Sequence, residues 1–122
     1  MLTPHIYLNG YCRKAIELYT KAFNATTVHI IEDPRYSERI IHAVINIHGQ
    51  PLILNDTGAD LDSAKSGGYQ LSVQFKSESE LFASYSILLD GATILFPIQA
   101  TDYSDCVVRF IDRFDVRWGF WV

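Results

Sequence analysis

The chain has 122 residues, 48% of them hydrophobic and 20% charged, with a formal net charge of −4. That length suits one globular domain with a core of its own, and the acidic balance speaks against a nucleic-acid binder, which shows a basic patch. No apolar run approaches the roughly 20 residues that span a bilayer. The first residues lack the pattern of a secretion leader. Cys12 and Cys106 form neither a CxxC pair nor a disulfide framework, so the expected setting is the cytoplasm, with no membrane or nucleic-acid partner.

"HIYLN" alternates, with His5, Tyr7 and Asn9 on one side and Ile6 and Leu8 on the other, which is the period of a half-buried strand. Gly10 breaks it, and "YCRKAIELYTKAFNA" changes to helical spacing. Cys12, Ile16, Tyr19 and Phe23 form its apolar stripe, with Ala15 and Ala22 beside it. "TTVHII" is the second strand and "EDPRYSER" a polar turn. "IIHAVINI" is the third strand: Ile41, Ala43, Ile45 and Ile47 make one apolar side, and Ile40, His42, Val44 and Asn46 a mixed one. "HGQP" reads as a hairpin turn and "LILND" as a fourth strand. "TGADLDSAKSGG" has the composition of a linker. The order then recurs. "YQLSVQF" alternates Leu71, Val73 and Phe75 against Gln70, Ser72 and Gln74. In "SESELFASYSILLDG", Ser77 and Glu80 fit a capping box, Leu81, Tyr85 and Leu88 a stripe, and Gly91 a stop. "ATILF" is a strand, "PIQATDYSD" a loop, and "CVVRFI" and "VRWGFWV" a final hairpin around "DRFD".

The chain therefore reads strand, helix and three strands, twice. The first module covers residues 1–58, the linker 59–68 and the second module 69–122. The fold class is α+β, two tandem βαβββ modules. In each module the apolar strand faces must bury against the helix. The opposite faces then carry His5, Tyr7, His42, Val44 and Asn46 in one half and Gln70, Ser72 and Gln74 in the other. Side by side, two such sheets would make a concave, half-polar cleft suited to a small molecule. Cys12 and Cys106 have no histidine beside them in sequence and do not read as nucleophiles. His29 and His48 read as surface residues at strand ends.

Four segments, "PHIYLNGYCRKAIELYTKAF", "IIHAVINIHGQPLILND", "LLDGATILFP" and "DRFDVRWGF", stand in the order found in the vicinal oxygen chelate superfamily of glyoxalases, bleomycin-resistance proteins and extradiol dioxygenases. The chain most resembles its PhnB-like branch. The resemblance implies a U-shaped mixed sheet with a concave cleft, a homodimer, and, in the metalloenzymes, one ligand on the first and last strand of each module. Those positions fall on His5, on Leu54 or Asp56, on Gln70 and near Gly119. His5 can bind a divalent metal (Zn, Ni, Mn or Fe), Asp56 could, and Gln70 is a poor ligand; a zinc-type site takes about three protein ligands. Asp115 stands where the family has a hairpin glycine, and aspartate is among the few residues that accept that conformation. His42 matches a histidine of the PhnB-like pattern. With an ordinary pKa of about 6.5, histidine is the natural acid/base candidate. A methyltransferase label is attached to members of the branch, but the chain has no glycine-rich strand-to-helix loop to cradle a nucleotide cofactor. Three functions remain in competition: binding of a small organic molecule in the cleft, metal-dependent lyase, isomerase or dioxygenase chemistry, and a structural or interaction module.

Overall fold

Gly10, at φ 87, turns the chain from strand β1 (His5–Tyr7) into helix α1 (Cys12–Phe23). The helix buries the expected stripe: Cys12, Ala15, Ile16, Tyr19, Ala22 and Phe23. Its N-cap, Tyr11, gives it no side-chain hydrogen bond. Asp56 does this from outside the helix. Its Oδ1 accepts from the Gly10 and Cys12 amides at 2.8 and 3.0 Å, and its Oδ2 accepts from the Ile40 amide at 2.9 Å. A carboxylate there also opposes the positive end of the helix dipole. Asn24, left-handed at φ 51, ends the helix.

The computed structural model describes residues 1–56 and 68–122. Apart from Gly68, the expected linker 59–68 lies outside the described residues. The chain divides into two compact units, Met1–Ala64 and Lys65–Val122. The first unit pairs β1 with β2 (Thr26–Glu32), β3 (Ile40–Ile47) and β4 (Gln50–Asn55) in the order β1-β4-β3-β2. β1 and β4 are parallel and the other pairs antiparallel. His48 and Gly49, at φ 50 and 79, form the two-residue turn between β3 and β4, as a hairpin with right-handed twist prefers.

Ile6, Ala43, Ile45, Ile47, Leu52 and Leu54 are buried on the helix side. Ile41 departs from the expected face. It is 49% exposed while Ile40 is fully buried. The pairing explains the inversion: Ile31 opposes His42 and Glu32 opposes Ile40, so Ile41 is an unpaired extra residue, a β-bulge. A second bulge lies in β2, where Thr27 opposes Ile45 and His29 opposes Val44, leaving Val28 as the extra residue.

The second unit repeats the plan. It comprises β5 (Leu71–Gln74), α2 (Glu78–Leu88), β6 (Thr93–Gln99), β7 (Val107–Ile111) and β8 (Arg117–Trp121), with sheet order β5-β8-β7-β6. The Ser77 side chain caps α2 by accepting from the Glu80 amide at 3.2 Å. Leu81, Leu88, Phe75, Val108, Phe110, Trp118 and Phe120 form the core. Strand β6 runs on through Pro97 to Gln99, where a loop is expected from the sequence. It lies at the sheet edge with two register shifts, and an edge strand accommodates a residue that cannot donate. Asp115 takes φ 68 in the β7–β8 turn. Beside it, Asp112 accepts from the Phe114 and Val116 amides and from the Trp118 indole N–H at 2.8 to 3.0 Å. The architecture is α+β: two four-stranded mixed sheets, each with one helix.

Asp56→Ala leaves three backbone N–H groups without their acceptor, in a place 6% exposed. Each buried donor without a partner costs about 1–3 kcal/mol. Urea titration of this variant is expected to show a midpoint loss worth about 3 kcal/mol with an unchanged slope. A loss under about 0.5 kcal/mol would contradict the role given to Asp56.

Candidate functional site

Cross-strand partners in a sheet share a face. In the first unit that rule sets His29, Val44, Ile53 and His5 in one row across β2, β3, β4 and β1. The next row holds Ile31 opposite His42, and Asn55 opposite Tyr7. His5, Tyr7, His42 and Val44, singled out in the sequence, thus share the face away from α1. His29 joins them, a residue that sequence reasoning placed at a strand end. The bulge at Val28 decides this. In the register that precedes it, His29 would oppose Ala43 on the buried face.

The side chains on this face are ordered by one another. The Asn55 amide nitrogen donates to the Asp56 carbonyl at 2.8 Å, which leaves Asn55 Oδ1 to accept from His5 Nε2. His5 therefore carries its proton on Nε2 and presents Nδ1 as an acceptor. Its ring stacks on Tyr7, centroids 4.6 Å apart. His29 Nε2 and His42 Nδ1 are 2.8 Å apart. Their planes differ by 16° with centroids 5.0 Å apart. That separation is close to the N···N distance plus two ring radii, so the rings lie edge to edge, placed for one N–H···N hydrogen bond. The His5 ring stands 6.2 Å from that of His42. Imidazole donors and acceptors, a phenol ring and the apolar Val44, Ile53 and Ile31 together offer polar and apolar contacts to an organic molecule.

In the second unit, Ser72 opposes Gly119, which opposes Arg109, which opposes Phe96; Gln74 opposes Trp121. Gln70, Ser72 and Gln74 are exposed. Gln70 Nε2 donates to Ser72 Oγ at 3.1 Å, and the amide lies over Gly119, where an added Cβ would come within 2.9 Å of its Cδ. Arg109 escaped the sequence reading. Its only signal there is its alternation with Val108 and Phe110. Of the two tryptophans, Trp118 is buried in the core and Trp121 lies half-buried on the outer face.

No protein-family model matches the chain. An uncharacterized protein of Mycobacterium tuberculosis is 26% identical over 125 residues, covering 97% of this chain and 71% of that one. A PhnB protein from Bacillus cereus superposes with a TM-score of 0.89 at 21% identity, over 98% of this chain and 97% of the other. Listeria monocytogenes FosX, a fosfomycin resistance protein solved with Mn(II) and 1S,2S-dihydroxypropylphosphonic acid, gives 0.73 at 12% identity, over 99% and 90%. The fold is that of the glyoxalase/bleomycin-resistance proteins. Its metal-ligand positions can be tested on this chain. Leu54 is fully buried and has no donor atom. Both Asp56 oxygens are taken by backbone amides. Gly119 has no side chain, and the neutral Gln70 amide covers it. Of these four positions, His5 is the one that keeps a ring nitrogen outside the described hydrogen bonds. Among the described residues no group of three His, Cys, Asp or Glu could hold a metal ion. The glyoxalase-type donor set does not fit this chain.

The cysteines offer no nucleophile either. Cys12 sits at the first turn of α1, where a helix dipole favours thiolate. Burial and the neighbouring Asp56 carboxylate outweigh that and the opposing Arg13, raising the thiol from 9.0 to about 12. Burial also raises Cys106, with Glu78 adding to it. Because the folded value of Cys12 lies above the unfolded one, its stabilising contribution is complete below pH 9.0 and is lost as pH rises toward about 12. Urea titrations across that window are expected to show stability falling, with a shallower fall in Cys12→Ala. An equal slope in both proteins would contradict the assignment. Native protein near neutral pH is expected to leave DTNB unreacted until it unfolds.

Proposed function

We propose that the chain is a PhnB-like member of the vicinal oxygen chelate superfamily that binds a small organic molecule on the outer face of its first sheet. The arrangement of His5, His29 and His42 around Tyr7 and Asn55 supports this reading. These polar groups are held by one another, in the open, beside half-buried apolar residues. A face that only met water would gain little from ordering them. His42 is the candidate acid/base group, since its second ring nitrogen is free to meet a ligand. In the same reading the protein is a cytoplasmic homodimer. Edge strands β2 and β6 support the dimer. Val28 and Ile31 are 56% and 51% exposed and Leu95 43% exposed, a liability that a partner strand or surface would cover.

A second reading, a divalent-metal lyase, isomerase or dioxygenase, is favoured by the FosX neighbour, solved with Mn(II). Stoichiometric zinc, nickel, manganese or iron in protein purified without added metal, lost in His5→Ala, would move the conclusion to it. A thermal-shift screen of small organic molecules tests the binding reading. A ligand at 100 times its dissociation constant adds about 2.7 kcal/mol of stability. The expected outcome is a hit whose shift disappears in His42→Ala while the variant's own melting temperature stays within a few degrees. Hits that shift the variant equally would contradict the site.

A further inference from the structure

We infer that the outer face of the second sheet holds a carboxylate subsite, built on Arg109 and Arg117, for an organic acid with an aromatic body. Arg109 opposes Gly119, and Arg117 stands two residues before Gly119 on the same strand. The two arginines are diagonal neighbours, roughly 7–8 Å apart at Cα. Strand residues paired across this face include no aspartate or glutamate. The ion pairs of the described residues involve Arg13, Arg35 and Arg113 instead. Two guanidinium groups therefore share a face, and among the described residues neither stands in an ion pair.

A separate observation points to a missing acceptor. Arg117 Nε is buried and has no hydrogen-bond partner among the described residues. Buried donors are nearly always satisfied, because desolvating one without an acceptor is costly. An anion at this place would supply the acceptor and the balancing charge together. The Gln70 amide lies over the bare backbone at Gly119, a neutral group beside the two guanidinium groups.

The surroundings set the class of anion. The Arg109 guanidinium lies 5.1 Å from the centre of the Phe96 ring and donates to the Tyr103 hydroxyl at 3.0 Å. Tyr103 meets Trp121 edge to face at 6.5 Å. The fork of donors is thus held against aromatic walls. A planar guanidinium matches a planar carboxylate through two parallel hydrogen bonds, and the rings offer stacking to a flat apolar body. All these residues belong to the second unit, so the inference does not depend on the first sheet's ligand.

The test is a titration of the full chain with benzoate, followed by the arginine Nε–H and indole N–H resonances in NMR spectra. Benzamide and inorganic phosphate serve as comparators. Benzoate is expected to move the Arg117 Nε–H and Trp121 indole signals, with benzamide and phosphate each binding at least about tenfold more weakly. Arg109→Gln should weaken benzoate by about tenfold or more, the loss of a charge-assisted bidentate contact. Arg109→Lys, which keeps the charge and the packed stem, should fall between. Should Arg109→Gln fail to fold, the lysine variant and the comparators on the unaltered chain still decide. Unmoved signals at millimolar benzoate, or benzamide binding as well as benzoate, would overturn the subsite. Phosphate binding as tightly as benzoate would overturn the aromatic-acid class.

Discussion

A side chain in a sheet reaches one face or the other according to pairing register, and a single extra residue reverses every position that follows. In the first unit that residue is Val28. Before it, β2 and β3 pair with Thr27 opposite Ile45; after it, His29 stands opposite Val44. The shift carries His29 out of the plane of Ala43 and beside His42. It brings the imidazole pair into being and orders the outer face. Ile41 restores the register before the strand ends and lets Ile40 reach the core. Two compensating bulges thus give the sheet an apolar inner side and a histidine-rich outer side.

Much of the fold can be read from the sequence because alternation and helical spacing are local. The stripe from Cys12 to Phe23, the Ser77 cap and the His48-Gly49 turn follow from neighbours within a few residues, whereas the left-handed Asp115 is expected from the resemblance to a family with glycine there. The repeat of strand, helix and three strands is likewise visible. His29 is not legible in the same way, because a bulge depends on how two strands meet. β6 continues past Pro97 because it is an edge strand, and edge position is a property of the assembled sheet. Arg109 and Arg117 look like ordinary alternating charges until the pairing sets them on one face with Gly119.

Two buried carboxylates, Asp56 and Asp112, both serve the structure. Asp56 ties the start of α1 to β3, and Asp112 closes the β7–β8 hairpin onto Trp118. Each is consumed by backbone or indole N–H groups, so neither is free for proton transfer or for a cation. The outer faces carry the adaptable chemistry instead: imidazoles that can give or take a proton on the first sheet, and guanidinium groups against aromatic rings on the second. Burial raises both thiols and so holds them neutral near neutral pH.

The central claim is that one N–H···N hydrogen bond joins His29 and His42 on the outer face. Long-range proton–nitrogen NMR of the histidine rings tests it most directly. In the unaltered chain one ring should donate and the other accept, giving the bridging nitrogens, His29 Nε2 and His42 Nδ1, unlike signals, one protonated and one bare. In His42→Phe the signals of His29 should change accordingly. If His29 shows the same tautomer and the same response to pH with His42 present or replaced, the two rings are independent, and the proposed arrangement of this face is wrong.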